Sequence, residues 1–299
     1  MLREELKKDK YLIGNFEWID ADKSPRMNDQ KFQAGIPKQG TSVIFVPTPN
    51  GRFKFLAKYF PTPDEQNKVT YYPTWQDRQL NYSRPPHEFH PGNKHFIAAI
   101  DGIKSKAVKT MKTASKGSLA IYRVQKEDSY GRPIEGDEEN ANRFIGIYLD
   151  RPVESIFADD MAKCLYFFGC EAVVENVDNH TLKGLVDLGM LPFIAHEIDT
   201  TDKAKPNMQD VLSRGQHTSK YEHDAMAKEI ERYIEYHVSK IEFEEIIKQW
   251  KSLTPDNYTK MDLVISTGYC LIKANRPTFK EKYEAKRTSL ASLGAWLKR

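Results

Sequence analysis

The amino-acid sequence predicts an α/β protein in which helices flank a mixed β-sheet, preceded by a β-rich segment. Three observations support this fold class. Residues 1–91 contain short apolar runs separated by turn formers, as in AGIPKQG and FPTPDEQN. Strand-like and helical patterns then alternate as far as residue 196, and helical patterns fill most of the remaining chain. We therefore predict a β-rich lead-in over residues 1–91 and an α/β domain over residues 92–299.

Within the lead-in, two apolar runs flank an Asn-Gly pair. SVIFV ends at residue 46 and RFKFLAKYF begins at residue 52, with Asn50 and Gly51 between them. Asn-Gly favours the tight turn that joins two antiparallel strands. The pattern predicts that these two runs pair as a β-hairpin.

Three strands and a helix are predicted at the start of the α/β domain. The strands are HFIAAID (95–101), GSLAIYRV (117–124) and RFIGIYLD (143–150). A helix begins near Glu154, because apolar residues recur there at steps of four, four and three residues. These residues are Phe157, Met161, Leu165 and Phe168, and Gly169 ends the helix.

The domain continues with a buried-looking strand, EAVVEN (171–176), a short helix over residues 180–189 and another strand, LPFIAH (191–196). Three longer helical patterns follow, over residues 219–238, 243–253 and 261–274. This order of elements predicts a mixed sheet covered by helices.

Composition favours a soluble globular protein. Of 299 residues, 39% are hydrophobic and 29% are charged, and no apolar run approaches the length of about eighteen residues that a membrane-spanning helix needs. The N-terminus MLREELKKDK lacks the apolar centre of a signal peptide. We therefore expect a cytoplasmic protein without a membrane partner. The three cysteines form no C-x-x-C pair, which argues against a disulfide framework and a cysteine-ligated zinc site.

Basic residues are unevenly distributed, although the net charge is only +3. Residues 102–116 contain no acid and five lysines: Lys104, Lys106, Lys109, Lys112 and Lys116. A basic block beside acidic positions suits a site that holds a polyanion such as nucleic acid. A solvated lysine face explains the same block.

Three acids lie where a metal site could use them: Asp101 ends HFIAAID, Glu175 lies near the end of EAVVEN, and Asp262 begins the last helical pattern. Each is next to an apolar element that would hold it rigidly. Carboxylates gathered from distant parts of a chain repel one another unless a cation lies between them, and their oxygens suit Mg²⁺ and Mn²⁺. Two such ions can clamp a phosphodiester for hydrolysis.

Each acid also has a structural interpretation. Asp101-Gly102 is a hairpin-turn dipeptide, although the following IKSKAVKTMK does not alternate as a pairing strand should. Glu175 fits an ordinary exposed residue at a strand end. Thr259-x-x-Asp262 has the spacing of a helix capping box. From spacing alone both interpretations stay open.

Five segments in this order resemble the nuclease domain of the large terminase subunit of tailed bacteriophages: HFIAAID, GSLAIYRV, FIGIYLDRP with its helix, EAVVEN and MDLVISTGYCLIKA. IYLDRPVES resembles the family's strand that ends in Arg-Pro before a helix. GQHTSKYEHDAMAKEIERYIE resembles its Gly-x-x-Thr entry to a long helix. The resemblance covers residues 94–275, and residues 10–90 look like the β-rich lead-in of some members.

This resemblance implies an RNase H-like fold whose acids end the first strand, follow the fourth and lead the C-terminal helix. Carried over residue by residue, the catalytic metal ligands are Asp101, Glu175 and Asp262, which would bind two Mg²⁺ or Mn²⁺ ions. The lysines of residues 102–116 and Arg151 would contact double-stranded DNA. The implied activity is that of a hydrolase, a metal-dependent endodeoxyribonuclease that cuts concatemeric viral DNA during genome packaging in the bacterial host. The implied partners are a terminase ATPase motor, a small terminase subunit and the portal.

Two departures from the family pattern are visible. The first acid is followed by Gly102, where the family often has proline, and no G-x-x-x-x-G-K-[ST] loop of an ATPase occurs in the sequence. The motor would then belong to another chain, or this chain is a fragment. Two alternatives remain: a non-catalytic nucleic-acid-binding or assembly module of RNase H-like fold, and another nuclease of that fold, such as a junction resolvase.

Overall fold

The computed structural model describes residues 10–19, 42–57, 94–103, 116–125, 132–133, 135–136, 138–176, 180–201, 208–254 and 261–285. These residues form a seven-stranded mixed sheet flanked by helices, which confirms the predicted α/β class. Within this described part of the chain, every helix is too short or too polar to cross a lipid bilayer.

The strands are β1 (Tyr11–Ile19), β2 (Ser42–Pro47), β3 (Phe53–Leu56), β4 (Phe96–Asp101), β5 (Gly117–Arg123), β6 (Arg143–Asp150) and β7 (Ala172–Val174). The helices are α1 (Glu154–Phe168), α2 (His180–Asp187), α3 (Met208–Leu212), α4 (Lys220–His237), α5 (Glu244–Lys251) and α6 (Asp262–Asn275). Short 3₁₀ helices cover Leu191–Phe193 and Val238–Lys240. All but α3 among the α-helices lie where the sequence predicts a helix.

The strands are arranged in the order β2-β1-β3-β6-β5-β4-β7. β5 pairs antiparallel with β4 and β6, whereas β7 pairs parallel with β4. A parallel return needs a crossover connection, which α1 provides between β6 and β7. Helix α1 ends as predicted at Gly169, whose φ of 60° is the left-handed conformation that glycine adopts most readily.

The strand predicted over residues 191–196 is reduced to isolated bridges. Leu191–Phe193 forms a 3₁₀ helix with Pro192 in its first turn. Ile194 then makes a parallel bridge to Ala172, and the Ala195 amide donates to the Ala172 carbonyl at 2.8 Å. Proline lacks the amide that a longer ladder requires, so this segment touches the edge of the sheet without extending it.

The predicted hairpin around Asn50-Gly51 is wrong. β2 and β3 both pair antiparallel with β1, on opposite edges of that strand. The connection crosses β1 at Gly51, where a Cβ would come within 2.3 Å of Gly14 Cα. Asn-Gly therefore marks a turn, as predicted, but not the pairing of its flanking strands. Sequence reasoning missed β1 because Gly14 and Asn15, both unfavourable in strands, interrupt its apolar pattern.

Strands from the predicted lead-in and from the predicted α/β domain share this one sheet, because β3 pairs with β6. The boundary predicted between residues 91 and 92 lies outside the described residues. A partly buried ion pair joins the two parts: the Arg52 guanidinium donates to both carboxylate oxygens of the buried Asp160 in α1, at 2.7 and 2.9 Å. Tyr148 of β6 donates to the same carboxylate at 3.3 Å.

Each face of the sheet packs against its own set of helices. Ala98 and Ile100 of β4 belong to a core that includes α1 and many aromatic rings. Ala99 belongs to a second core, formed with α4, α5 and α6. Because side chains alternate between the faces of a strand, every second residue points towards α6.

Candidate functional site

Asp101 and Glu175 lie side by side at one edge of the sheet. β4 and β7 run parallel with Ile100 opposite Val174, and the Glu175 amide donates to the Ile100 carbonyl at 2.9 Å. Asp101 and Glu175 are the next residues in this register. Their backbones are therefore separated by the spacing of neighbouring strands, about 4.8 Å.

Asp262, at the start of α6, lies against β5, the strand on the other side of β4 from β7. Ser118 of β5 is the register partner of Asp101, and its hydroxyl donates to the Asp262 carbonyl at 2.7 Å. The Lys116 amide donates to the Asp262 carboxylate at 3.1 Å. The Ser118 hydroxyl also lies 2.9 Å from the Ser266 hydroxyl, and this contact fixes the first turn of α6 against β5. The start of α6 is therefore held beside the end of β4.

All three acids lie towards the same core. Ala99 and Val173 pack under α4 and α6, and Asp101 and Glu175 follow each of them by two residues, on the same face of the sheet. The three residues are only 1%, 6% and 9% exposed, in chain order. The tertiary structure thus brings the predicted trio together at one buried end of the sheet.

The structural interpretations of all three acids are wrong, and Glu175 is buried rather than exposed. Asp101 and Gly102 do not form a two-residue hairpin turn, because Asp101 pairs with Ser118 across a long connection. Asp262 is the first residue of α6, behind the N-cap Met261, so it is not the third residue of a capping box. Thr259 lies outside the described residues.

Glu175 accepts a hydrogen bond from a chain of two hydroxyl groups. The Thr218 hydroxyl, just before α4, donates to Glu175 Oε1 at 2.8 Å. The same hydroxyl lies 2.8 Å from the Tyr269 hydroxyl of α6. Burial raises the pKa of the Tyr269 phenol well above its usual value, and the negative charge of Glu175 raises it further. Tyr269 is therefore a neutral hydrogen-bonding group beside the acids at ordinary pH.

Gly102 lets helix α2 approach the end of β4. A Cβ on Gly102 would come within 2.4 Å of the Thr181 hydroxyl oxygen. Glycine at position 102 therefore has a packing reason in this fold.

The carboxylate oxygens at this site are the donor type that Mg²⁺ and Mn²⁺ prefer. Within the described residues, however, no three His, Cys, Asp or Glu side chains form a group that could hold a metal ion. Glu175 and Asp262 instead accept bonds from Thr218 and from the Lys116 amide. The donor type therefore fits a divalent cation, whereas the described side chains do not form a metal-holding group in this structure.

Two of the residues predicted to contact DNA are described. Lys116 precedes β5 and Arg151 follows β6, and Gly117 pairs with Asp150, so both basic residues lie at the same end of the sheet as Asp101. Both are exposed. The remaining four predicted contacts, Lys104, Lys106, Lys109 and Lys112, lie outside the described residues.

Sequence reasoning from the acids alone missed Ser118, Ser266 and Tyr269. Ser266 and Tyr269 follow Asp262 by four and seven residues, which is one and two helical turns. That spacing was a usable signal, since it places all three on one face of α6. Ser118 is assigned only by its register opposite Asp101.

Searches against protein-family models and against curated proteins found no match to this chain.

Proposed function

We propose that this protein is a divalent-metal-dependent DNA endonuclease of RNase H-like fold that cuts concatemeric viral DNA during genome packaging. The observation that supports this proposal is that three buried acidic residues, at the end of β4, directly after β7 and at the start of α6, lie at the same end of the sheet. Counted from β4, these are the ends of the first and fourth strands and the start of the last described long helix, the order that the resemblance implies.

Asp101, Glu175 and Asp262 would hold the metal. Two Mg²⁺ or Mn²⁺ ions, when bound, would supply activation of water and stabilisation of the leaving oxygen in phosphodiester hydrolysis. Ser118 and the Lys116 amide hold Asp262 in place. The low exposure of the three acids excludes most water from the site, which strengthens electrostatic interactions there.

Lys116 and Arg151 would contact the phosphate backbone of double-stranded DNA at this end of the sheet. Phosphate contacts position DNA without reading its sequence, so cutting should show little sequence preference. In this proposal the nuclease works in the cytoplasm of a bacterial host with a terminase ATPase motor, a small terminase subunit and a portal.

Plasmid nicking with Mn²⁺, Mg²⁺ or EDTA tests this function. The wild type should nick with at least one metal and not with EDTA, and Asp101→Ala and Asp262→Asn should abolish nicking. Asp224→Asn, an exposed acid of α4, is the matched control and should cut normally.

A non-catalytic binding module is the second candidate, because no metal-holding group of side chains forms within the described residues. DNA binding without cleavage in either metal would favour that module over the nuclease. Preferred cleavage of four-way junctions over linear duplex would indicate a junction resolvase instead.

A further inference from the structure

The hydroxyl groups behind Glu175 form a connected chain between three elements. Glu175 follows β7, Thr218 precedes α4, and Tyr269 belongs to α6. The two links measure 2.8 Å each. Tyr269 is fully buried, with an exposure of 0%, and a buried tyrosine hydroxyl normally has a hydrogen-bond partner.

Counting protons sets the direction of this chain. The Thr218 hydroxyl has one proton, and a carboxylate oxygen can only accept, so that proton points to Glu175. The Thr218 oxygen can then only accept from Tyr269. The chain therefore runs from the Tyr269 hydroxyl to Thr218 and on to Glu175 Oε1, and each bond polarises the next.

We propose that Thr218 and Tyr269 are positioning residues that fix the Glu175 carboxylate as a ligand for a divalent cation. This inference rests on the function proposed above. A glutamate side chain has several rotatable bonds, and beside Asp101 it is repelled by a like charge. A bond from Thr218 opposes both the rotation and the repulsion, because it holds one carboxylate oxygen in place.

The supporting groups are themselves held rigidly. Tyr269 lies two helical turns from Asp262 in α6. The same helix therefore contains the proposed ligand Asp262 and the tyrosine that supports the proposed ligand Glu175. Thr218 is followed by the N-cap Ser219, whose capping box with Glu222 fixes the start of α4. A ligand supported in this way binds metal more tightly than an unsupported one, because its side chain loses less conformational entropy on binding.

Mn²⁺ titration tests the inference in two measurements: calorimetry without DNA, and plasmid nicking as a function of Mn²⁺ concentration. Thr218→Val keeps the shape but removes the hydroxyl. It should raise the Mn²⁺ concentration at half-saturation about 10–100-fold in both measurements. Thr218→Ser should restore the wild-type value, and Tyr269→Phe should give a smaller increase. Saturating Mn²⁺ should recover most of the nicking rate in each variant.

Thr200→Val is the matched control, because Thr200 donates to another buried glutamate, Glu222, at 2.6 Å. It should leave Mn²⁺ binding unchanged. If the wild type binds Mn²⁺ and the folded Thr218→Val and Tyr269→Phe variants bind it equally well, the positioning role is overturned. The proposed nuclease function would then be unaffected. A wild type that binds no Mn²⁺ would overturn both. If Thr218→Val does not fold, Tyr269→Phe tests the positioning role instead, because it retains the buried aromatic ring and removes only the hydroxyl.

Discussion

Asp101 and Asp160 are buried to the same extent, 1% exposed, but on opposite faces of the sheet. Asp160 in α1 accepts two bonds from the Arg52 guanidinium and one from Tyr148. Asp101 lies beside Glu175 and near Asp262, two further acids. The same residue type at the same depth is thus paired with an arginine in one place and lies beside other acidic residues in the other.

This difference separates a structural charge from a candidate functional one. A bidentate arginine neutralises a buried carboxylate permanently and ties β3 to α1. Acidic residues that lie beside one another favour a bound cation, because like charges disfavour the ionised form of each. Burial alone therefore does not distinguish the two acids, whereas their neighbours differ.

The largest expected effect is that of Asp101→Asn. It should reduce the nicking rate about 100- to 1000-fold, because a two-metal clamp stabilises several kcal/mol of transition-state charge and about 1.4 kcal/mol corresponds to a factor of ten. The free energy of unfolding should stay equal or rise, since one of several repelling charges is removed. Nicking assays and urea unfolding measure the two effects. Full nicking activity in this variant would show that Asp101 is not a metal ligand.

Arg52→Met should show the opposite behaviour. It leaves the Asp160 carboxylate buried without its guanidinium, and we expect the free energy of unfolding to fall by about 3 kcal/mol. Nicking per folded molecule should not change. A double variant, Arg52→Met with Asp160→Leu, should regain much of the stability, because the uncompensated charge is gone. Urea unfolding without a stability loss in the single variant would contradict the structural role of this pair.

Glu222→Gln tests a third kind of buried acid, one held by hydroxyl and amide donors. Burial would raise the pKa of Glu222, but bonds from Ser219 and Thr200 outweigh burial and lower the pKa below its usual value of 4.5. The ionised form therefore stabilises the fold near neutral pH, and this contribution is lost as pH falls through the lowered pKa. We expect Glu222→Gln to cost about 1 kcal/mol at pH 7 and progressively less below about pH 4. Thermal or urea unfolding across pH 3–7 measures this, and a difference independent of pH would contradict it.

The smallest effect is expected from the exposed cations at the acidic end. Lys116→Ala and Arg151→Ala should each reduce the salt dependence of DNA binding by about 0.9 in the slope of log K against log salt, if each contacts one phosphate. Lys94→Ala is the control, because Lys94 precedes β4 at the opposite end of that strand and is exposed as well. If the slope of log K against log salt is the same for all three variants and the wild type, DNA does not bind at this end of the sheet.

Several elements were predictable because their signals are local. The apolar steps of α1 and the stop at Gly169 follow from helical periodicity, and both are observed. Strand β5 was expected to begin at Gly117 rather than directly after Asp101, and it does. Candidate ligands were likewise visible, because each of the three acids is next to an apolar run in the sequence.

Other features were not predictable because they depend on which distant segments meet. The hairpin was wrong since Asn-Gly specifies a turn but not the partners of the strands beside it. The segment over residues 191–196 is apolar enough to look like a strand in sequence. It begins instead with a 3₁₀ helix that contains Pro192. Ser118 and Tyr269 are ordinary residues in sequence, and their contacts with the acids arise from register and helix packing.

The sequence by itself determined the fold class, most of the helices and the identity of the three acids, because periodicity and the ends of apolar runs are properties of neighbouring residues. Only the tertiary structure decided that Asp101, Glu175 and Asp262 share one end of one face of the sheet, and that Asp160 is neutralised by Arg52 instead. Strand register and charge pairing join residues far apart in the chain, so they follow from packing and not from local pattern.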